Sequence, residues 1–345
     1  MKTTQHQYID RDSGEIKTEK LFGDAAVRYL YANARENAPA LFRALTSSWS
    51  SSVLGYLNFD MPFGHRLFGG KSFLDEGEID LSECLEDPET FTTYRKLFER
   101  KIRYWETRPM PDDPYAIVAP SDARVIIGSF RENSYIYLKG KYFEMEDLVG
   151  YDKTHWLEKM VDGDFAIFRL TPEKYHYNHV PVSGRVVDIY EIDGGYHSCN
   201  PGAVVAEVTP YSKNKRVVTV IDTDVEGGAN AGHVIMIEVV ALMIGEIKQV
   251  YSESQYENPQ DIKPGMFLRK GMPKSLFRPG SSTVVLLFEH SRTVFAEDIV
   301  HNMRLPGVES RFSKGFDQPL IETDLRARSL IATAWPEYLK RGGHA

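Results

Sequence analysis

The chain has 345 residues, 42% of them hydrophobic, which is long and apolar enough to bury one large core or two modest ones. A net charge of −8 excludes a broad basic face for nucleic acid, although a local basic patch could still meet anionic lipid. Only Cys84 and Cys199 are present and no CxxC pair occurs, so neither a zinc knuckle nor a disulfide framework is expected and a reducing, intracellular setting is the default.

The opening stretch "MKTTQHQYIDRDSGEIKTEK" has no apolar h-region, so no secretory signal is expected, and no apolar run reaches transmembrane length. Asp24 reads as the N-cap of a helix whose face carries Val27, Leu30 and Tyr31. Pro39 interrupts it, and Leu41, Phe42 and Leu45 resume the apolar face before "TSSWSSS" breaks the pattern. Such a face could lie on a membrane surface without crossing it. "DLSECLEDPETFTTYRKLFERKIRYW", residues 80–105, reads as further helix with Asp87 and Pro88 at a start. Residues 1–106 are thus expected to be a largely helical region, bounded by the proline-rich "TRPMPDDPY" at 107–115.

Beyond that boundary, residues 107–345 have the texture of strands. "AIVAP", "ARVIIGSF", "SYIYL", "DFAIFRL", "GRVVDIYEI", "AVVAEV", "KRVVTVIDT", "HVIMIEVVALMIGEIKQVY" and "STVVLLF" are separated by Gly, Pro, Asn and Asp. The expected fold is α+β, a helical N-terminal segment followed by a β-rich, barrel-like or sandwich-like catalytic body.

No GxGxxG, GxxxxGK[ST] or HExxH occurs, so the sequence offers no nucleotide or zinc-protease signature. Three loops next to apolar strands carry reactive residue types. "VAPSDARV" holds Asp122, which alone reads as a turn former. "EKYHYNHVPVSG" holds His176 and His179, a pair that alone is more often structural than catalytic, and Pro181 with Gly184 argues against a helical metal site. "RPGSSTVVLLFEH" holds Ser281 and Ser282 back to back after Gly280, either as turn formers or as a reacting group. Taken as a set, an aspartate, a histidine and a serine could converge as an Asp-His-Ser constellation.

"APSDARV", "FRLTPEKYHYNHVPVSGRV", "NPGAVVAEV", "EVVALMIGEI" and "KGMPKSLFRPGSSTVVLLF" together resemble, in order and spacing, the phosphatidylserine decarboxylase proenzymes. The resemblance covers nearly the whole chain and implies a self-cleaving enzyme that turns phosphatidylserine into phosphatidylethanolamine and carbon dioxide, with no metal. By this resemblance the chain breaks between Ser281 and Ser282, and Ser282 becomes a pyruvoyl group, the electron sink for decarboxylation. Cleavage between Gly280 and Ser281 is the runner-up, since that bond also joins glycine to serine. His179, oriented by Asp122, would take the Ser282 hydroxyl proton, and His176 would sit by the substrate and help return a proton to its α-carbon. The two fragments would stay associated, with peripheral membrane contact and a homodimer as open options.

The chain departs from the family's pattern at Met272 and Pro273, which replace an acidic pair, at Ser275 and Val240, which replace glycines, and at Lys215, where an acidic residue is usual. These changes leave room for a soluble, aromatic amino acid as substrate on the same scaffold. A non-enzymatic binding homologue is the remote alternative, and a plain hydrolase would need a GxSxG elbow, which is missing.

Overall fold

Runs of β-branched and aromatic residues build the body, because such side chains fit a pleated surface buried on one or both faces. The computed structural model of the chain describes residues 5–21, 79–132, 134, 142–206, 210–241, 246–279 and 282–335. Near the N-terminus, β1 (Gln7–Asp10) and β2 (Ile16–Thr18) form a hairpin. The next strands are β3 (Ala116–Val118), β4 (Ala123–Ser129), β5 (Asp164–Leu170), β6 (Tyr177–His179), β7 (Gly184–Ile192) and β8 (Arg216–Asp222). They are followed by β9 (His233–Val240), β10 (Ile247–Gln249), β11 (Phe267–Leu268), β12 (Pro273–Phe277) and β13 (Ser282–Phe288). Last come β14 (Thr293–Phe295), β15 (Glu322–Leu325) and β16 (Leu330–Ala334).

Ten of these strands form one sheet in the order β11-β7-β8-β9-β13-β5-β4-β15-β1-β2, and two three-stranded sheets, β10-β12-β6 and β14-β16-β3, complete the body. The large sheet ends on β11 and β2 rather than closing on itself, so of the two expected architectures the sandwich-like one fits and the barrel does not. Strand β13 is central. It pairs antiparallel with β5 and β9 in unbroken register from Ser282 to Phe288, and all seven of its residues are buried.

The sequence pattern and the structure differ in three places. "AVVAEV" was expected as a strand, yet Pro201–Ala206 is a helix, because Asn200 accepts the Gly202 N–H at 2.8 Å and Pro201 occupies the first helical position. The single helix expected at 80–105 is instead two 3₁₀ turns, Leu81–Glu83 and Pro88–Thr90, and two short helices, Tyr94–Phe98 and Tyr104–Thr107. Asp80, Asp87 and Thr93 each cap a new start, which divides the segment. Residues 7–10, within the region expected to be helical, add a strand to the large sheet beside β15. The helix expected from Asp24, its apolar face at Val27, Leu30, Tyr31, Leu41, Phe42 and Leu45, and most of "SYIYL" lie outside the described residues.

Residues 84–104 pack directly on the body. Phe91, Tyr94, Leu97, Ile102 and Tyr104 bury a cluster with Tyr175, Tyr177, Tyr256 and Leu276. A second lock is ionic. Arg169 on β5 donates to Glu19 at 2.6 and 2.9 Å and to Glu322 on β15 at 2.6 and 2.9 Å, while Arg124 meets Glu19 at 2.7 Å. His6 accepts the Arg311 N–H at Nδ1, so its Nε2–H donates to Glu322 at 2.7 Å. His6, Glu19 and Glu322 stand close enough to hold a cation, but the two guanidiniums already neutralise the carboxylates.

Breaking a buried pair by removing one partner leaves an uncompensated charge and costs about 3–5 kcal/mol. Arg169→Met is therefore expected to strand Glu19 and Glu322 and to lower the denaturant midpoint strongly, whereas Arg326→Met, at an exposed pair with Asp12, should change it little. Urea titrations of the two variants against the parent chain check this.

Candidate active site

Ser282 is the first residue of β13, opposite Leu170 on β5 and Val240 on β9. Its side chain is buried, and Oγ meets no hydrogen-bond partner among the described residues. A buried hydroxyl left unpaired costs about 1–3 kcal/mol, a cost that Ser121, Thr219, Thr283, Thr293 and Thr323 also carry. The other serine of the pair, Ser281, and Gly280 lie outside the described residues.

His179 ends β6 and is fully buried. Its Nδ1 lies 2.8 Å from the Gly271 carbonyl, which can only accept, so Nδ1 carries the proton and Nε2 is the basic atom. Gly271 adopts φ +77°, and a Cβ there would run into Met110, so only glycine offers its carbonyl in this orientation without strain. Nε2 accepts from the Tyr175 hydroxyl at 3.1 Å, and Tyr175 lies 2.8 Å from the Tyr256 hydroxyl. Burial holds His179 down to about 4, so the ring is neutral, and burial keeps Tyr175 protonated by raising it well above 10.

His176 sits in the turn between β5 and β6 and stacks on Phe98, with ring centroids 3.5 Å apart. Its Nδ1–H donates to the Lys174 carbonyl at 2.7 Å, which leaves Nε2 as a buried lone pair with no protein partner among the described residues. Burial, and then the charge of Arg100, push it well below the ordinary histidine value. The Phe277 N–H donates to the His176 carbonyl at 3.1 Å, which ties this turn to the end of β12, just ahead of the segment that leads into Ser282.

Asp122 is buried at the start of β4. Burial alone would raise its carboxyl, but Arg108 outweighs that through bonds of 2.8, 2.9 and 3.2 Å and holds it at about 2. Its Oδ1 also accepts the Ala327 N–H at 2.8 Å. The direct Asp122–His179 hydrogen bond expected of a triad is not formed. The His179 Nδ1–H goes to Gly271 and the carboxylate to Arg108, so Asp122 acts on the ring through its charge alone.

Sequence reasoning missed Arg108, which also meets Glu83 at 2.8 Å and so fastens the first 3₁₀ turn to Asp122. It also missed Gly271 and Tyr256, far along the chain from the histidines. Of the altered residues before the serine turn, Ser275 lies in a buried polar network that the half-buried Gln249 borders. Lys274 meets Glu238 at 2.8 Å and Gln249 at 3.0 Å, while the Ser275 hydroxyl donates to Glu238 and accepts from Asn178 at 3.0 Å. Ser275 thus gives Glu238 a partner that glycine could not supply. Lys215 instead faces Glu191 at 3.3 Å, away from this cluster.

A family model described as phosphatidylserine decarboxylase matches residues 94–306. The phosphatidylserine decarboxylase proenzyme of Fusobacterium nucleatum is 30% identical over 310 residues, spanning 90% of this chain and 95% of that protein. The proenzyme of Chlamydia muridarum is 28% identical over 316 residues, 91% of this chain and 97% of its own length. Proenzyme 3 of Schizosaccharomyces pombe is 28% identical over 300 residues, which is 86% of this chain but 29% of the larger relative.

A histidine held neutral in the fold and free to titrate in the unfolded chain makes stability depend on pH. His179 drops from 6.5 unfolded to about 4 folded, so the unfolded state binds the extra proton between those values. Its contribution is fully present above pH 6.5 and is lost as pH falls toward 4, by about 3 kcal/mol. Denaturant midpoints measured from pH 7.5 to 4.5 should fall less steeply in His179→Gln than in the parent chain; parallel curves would refute the neutral, buried ring.

Proposed function

Because the chain belongs to the phosphatidylserine decarboxylase family, we propose that it cuts its own backbone before Ser282 and then removes carbon dioxide from phosphatidylserine to leave phosphatidylethanolamine. The chain is a carboxy-lyase by family. The single observation that carries the self-cleavage is Ser282 Oγ, buried and without a partner among the described residues, at the head of the central strand. The relatives named above are all named for phosphatidylserine, which leaves an aromatic amino acid substrate without support.

Self-cleavage needs only this chain's residues and water. Ser282 Oγ attacks the carbonyl of residue 281, and the peptide shifts to an ester as a base takes the hydroxyl proton. Loss of the Ser282 α-proton to a base breaks the Oγ–Cβ bond and frees residues 1–281 with a terminal carboxylate, and water converts the dehydroalanine left at 282 to a pyruvoyl ketone with loss of ammonia. His179 is assigned as the base, since its ring is fixed by Gly271 and its Nε2 is the basic atom. Tyr175, which now donates to that nitrogen, must turn aside as the proton arrives. Asp122 supports the imidazolium through its charge, and cleavage between Gly280 and Ser281 remains the runner-up.

The ketone supplies the electron sink for the carbon dioxide loss. His176 is assigned to the substrate side. Neutral in the fold through burial and the charge of Arg100, its Nε2 can accept the proton that the substrate ammonium must lose in joining the ketone and return it to the α-carbon once carbon dioxide has left. Strand order supports an association of the two fragments after the cut. Strands β13 to β16 belong to the 282–345 fragment, yet β13 lies between β9 and β5, and β15 between β4 and β1. The fragments are interleaved, and separating them would unpair the large sheet.

The test is carbon dioxide release from phosphatidylserine against free tryptophan and serine. Release from phosphatidylserine alone is expected, and release from tryptophan alone would overturn the reading. Ser282→Ala, His179→Ala and Asp122→Asn should each give a folded chain that splits about a hundredfold more slowly or not at all. His176→Ala should split normally and decarboxylate about a hundredfold more slowly. Denaturing gels and product assays separate the two groups.

A further inference from the structure

Among the buried cations of the described residues, Arg100 enters the mechanism above only through its charge on His176. Arg100 follows the helix Tyr94–Phe98, is 6% exposed, and has no carboxylate partner among the described residues. Its guanidinium is held by two main-chain carbonyls, Leu97 at 3.1 Å and Glu173 at 2.8 Å. A buried guanidinium is normally paired with an anion, and two neutral carbonyls leave its charge uncompensated. The neighbouring peptide carbonyl, that of Lys174, holds the His176 ring. Consecutive carbonyls therefore fix the guanidinium and the imidazole side by side, and His176 Nε2 is also unpartnered.

The pair borders the residues that lead into Ser282. The Phe277 N–H bonds to the His176 carbonyl, and Arg278 lies 3.8 Å from Glu99, the residue before Arg100. A guanidinium without a carboxylate is thus held by the turn that carries His176, which the end of β12 ties to the segment leading into Ser282. We propose that Arg100 is an anion subsite that takes the phosphodiester of the substrate while its amine is held at position 282, leaving the His176 Nε2 lone pair, which would repel an anion, for proton transfer.

This assignment rests on the decarboxylase reading and chooses between the substrate's two anions by chemistry. The carboxylate must leave as neutral carbon dioxide. An ion pair to it would stabilise the ground state, vanish in the transition state, and slow the reaction. The phosphodiester keeps its charge throughout, so binding it at Arg100 holds the head group at no cost to the chemical step. A guanidinium also matches two phosphate oxygens at once, as an ammonium does not.

The experiment uses two soluble probes, glycerophosphoserine, which carries the phosphodiester, and L-serine, which lacks it. Each is trapped at position 282 of the split protein with cyanoborohydride, and the mass gain of the small fragment is followed against probe concentration. In Arg100→Gln, which keeps an N–H donor and loses the charge, trapping of glycerophosphoserine should need about ten- to a hundredfold more probe, with trapping of L-serine unchanged. Arg100→Lys should recover part of the preference for glycerophosphoserine. Equal trapping of glycerophosphoserine by Arg100→Gln and the parent overturns the subsite, as does an equal loss for both probes. If Arg100→Gln does not split, the Arg100→Lys preference decides: a severalfold drop supports the subsite and an undiminished preference overturns it. A parent protein that traps neither probe refutes the decarboxylase reading itself, and with it the subsite.

Discussion

The position of Ser282 depends on strand β13 being hydrogen-bonded along its whole length to β5 on one side and β9 on the other. A strand paired on both sides and buried throughout cannot slip by one residue without turning every side chain to the opposite face. The seven residues from Ser282 to Phe288 therefore hold the position proposed to react in register with Leu170 and Val240. Breaking the chain ahead of such a strand removes none of its pairings, so a cut there changes covalent connectivity while leaving the sheet in place.

Around that strand, the polar groups are arranged by what a dry interior permits. Carboxylates are matched to guanidiniums, as in Asp122 with Arg108 and in Glu19 and Glu322 with Arg169, and each pairing keeps an acid ionised that burial alone would protonate. The histidines are treated oppositely. Each donates Nδ1–H to a main-chain carbonyl and is kept neutral, so each offers a lone pair at Nε2. Those lone pairs differ in one respect: that of His179 is met by Tyr175, while that of His176 has no partner among the described residues. This difference matches the division of labour proposed for them, one ring used once in maturation and the other available to substrate.

Much of this was legible in the sequence because strands with strong alternation or continuous apolar runs are insensitive to context. "DFAIFRL", "KRVVTVIDT" and "STVVLLF" form β5, β8 and β13 almost residue for residue. "AVVAEV" carries the same residue types, yet its described part, Ala203–Ala206, is helical, since an Asn-Pro start outweighs β-branched propensity over so short a span. The short strands β1 and β15 were not read, because their pairing joins residues 8 and 322, a separation that no local pattern encodes. For the site, Asp122, His176, His179 and Ser282 were read from three loops through their resemblance to one family. The partners that set their chemistry, Arg108, Tyr256, Gly271 and Arg100, come from segments remote in sequence and without a motif of their own. Arginine and glycine are too common for their type alone to announce such roles, and only the fold brings them to the histidines.

The central claim is that the buried, unpartnered Ser282 is the residue at which the chain opens. Intact-mass measurement of the denatured purified protein addresses it directly. The account predicts two species, residues 1–281 ending in a free carboxylate and residues 282–345 beginning with a pyruvoyl group in place of serine. A single uncut chain, or a small fragment that begins at another residue, would contradict it.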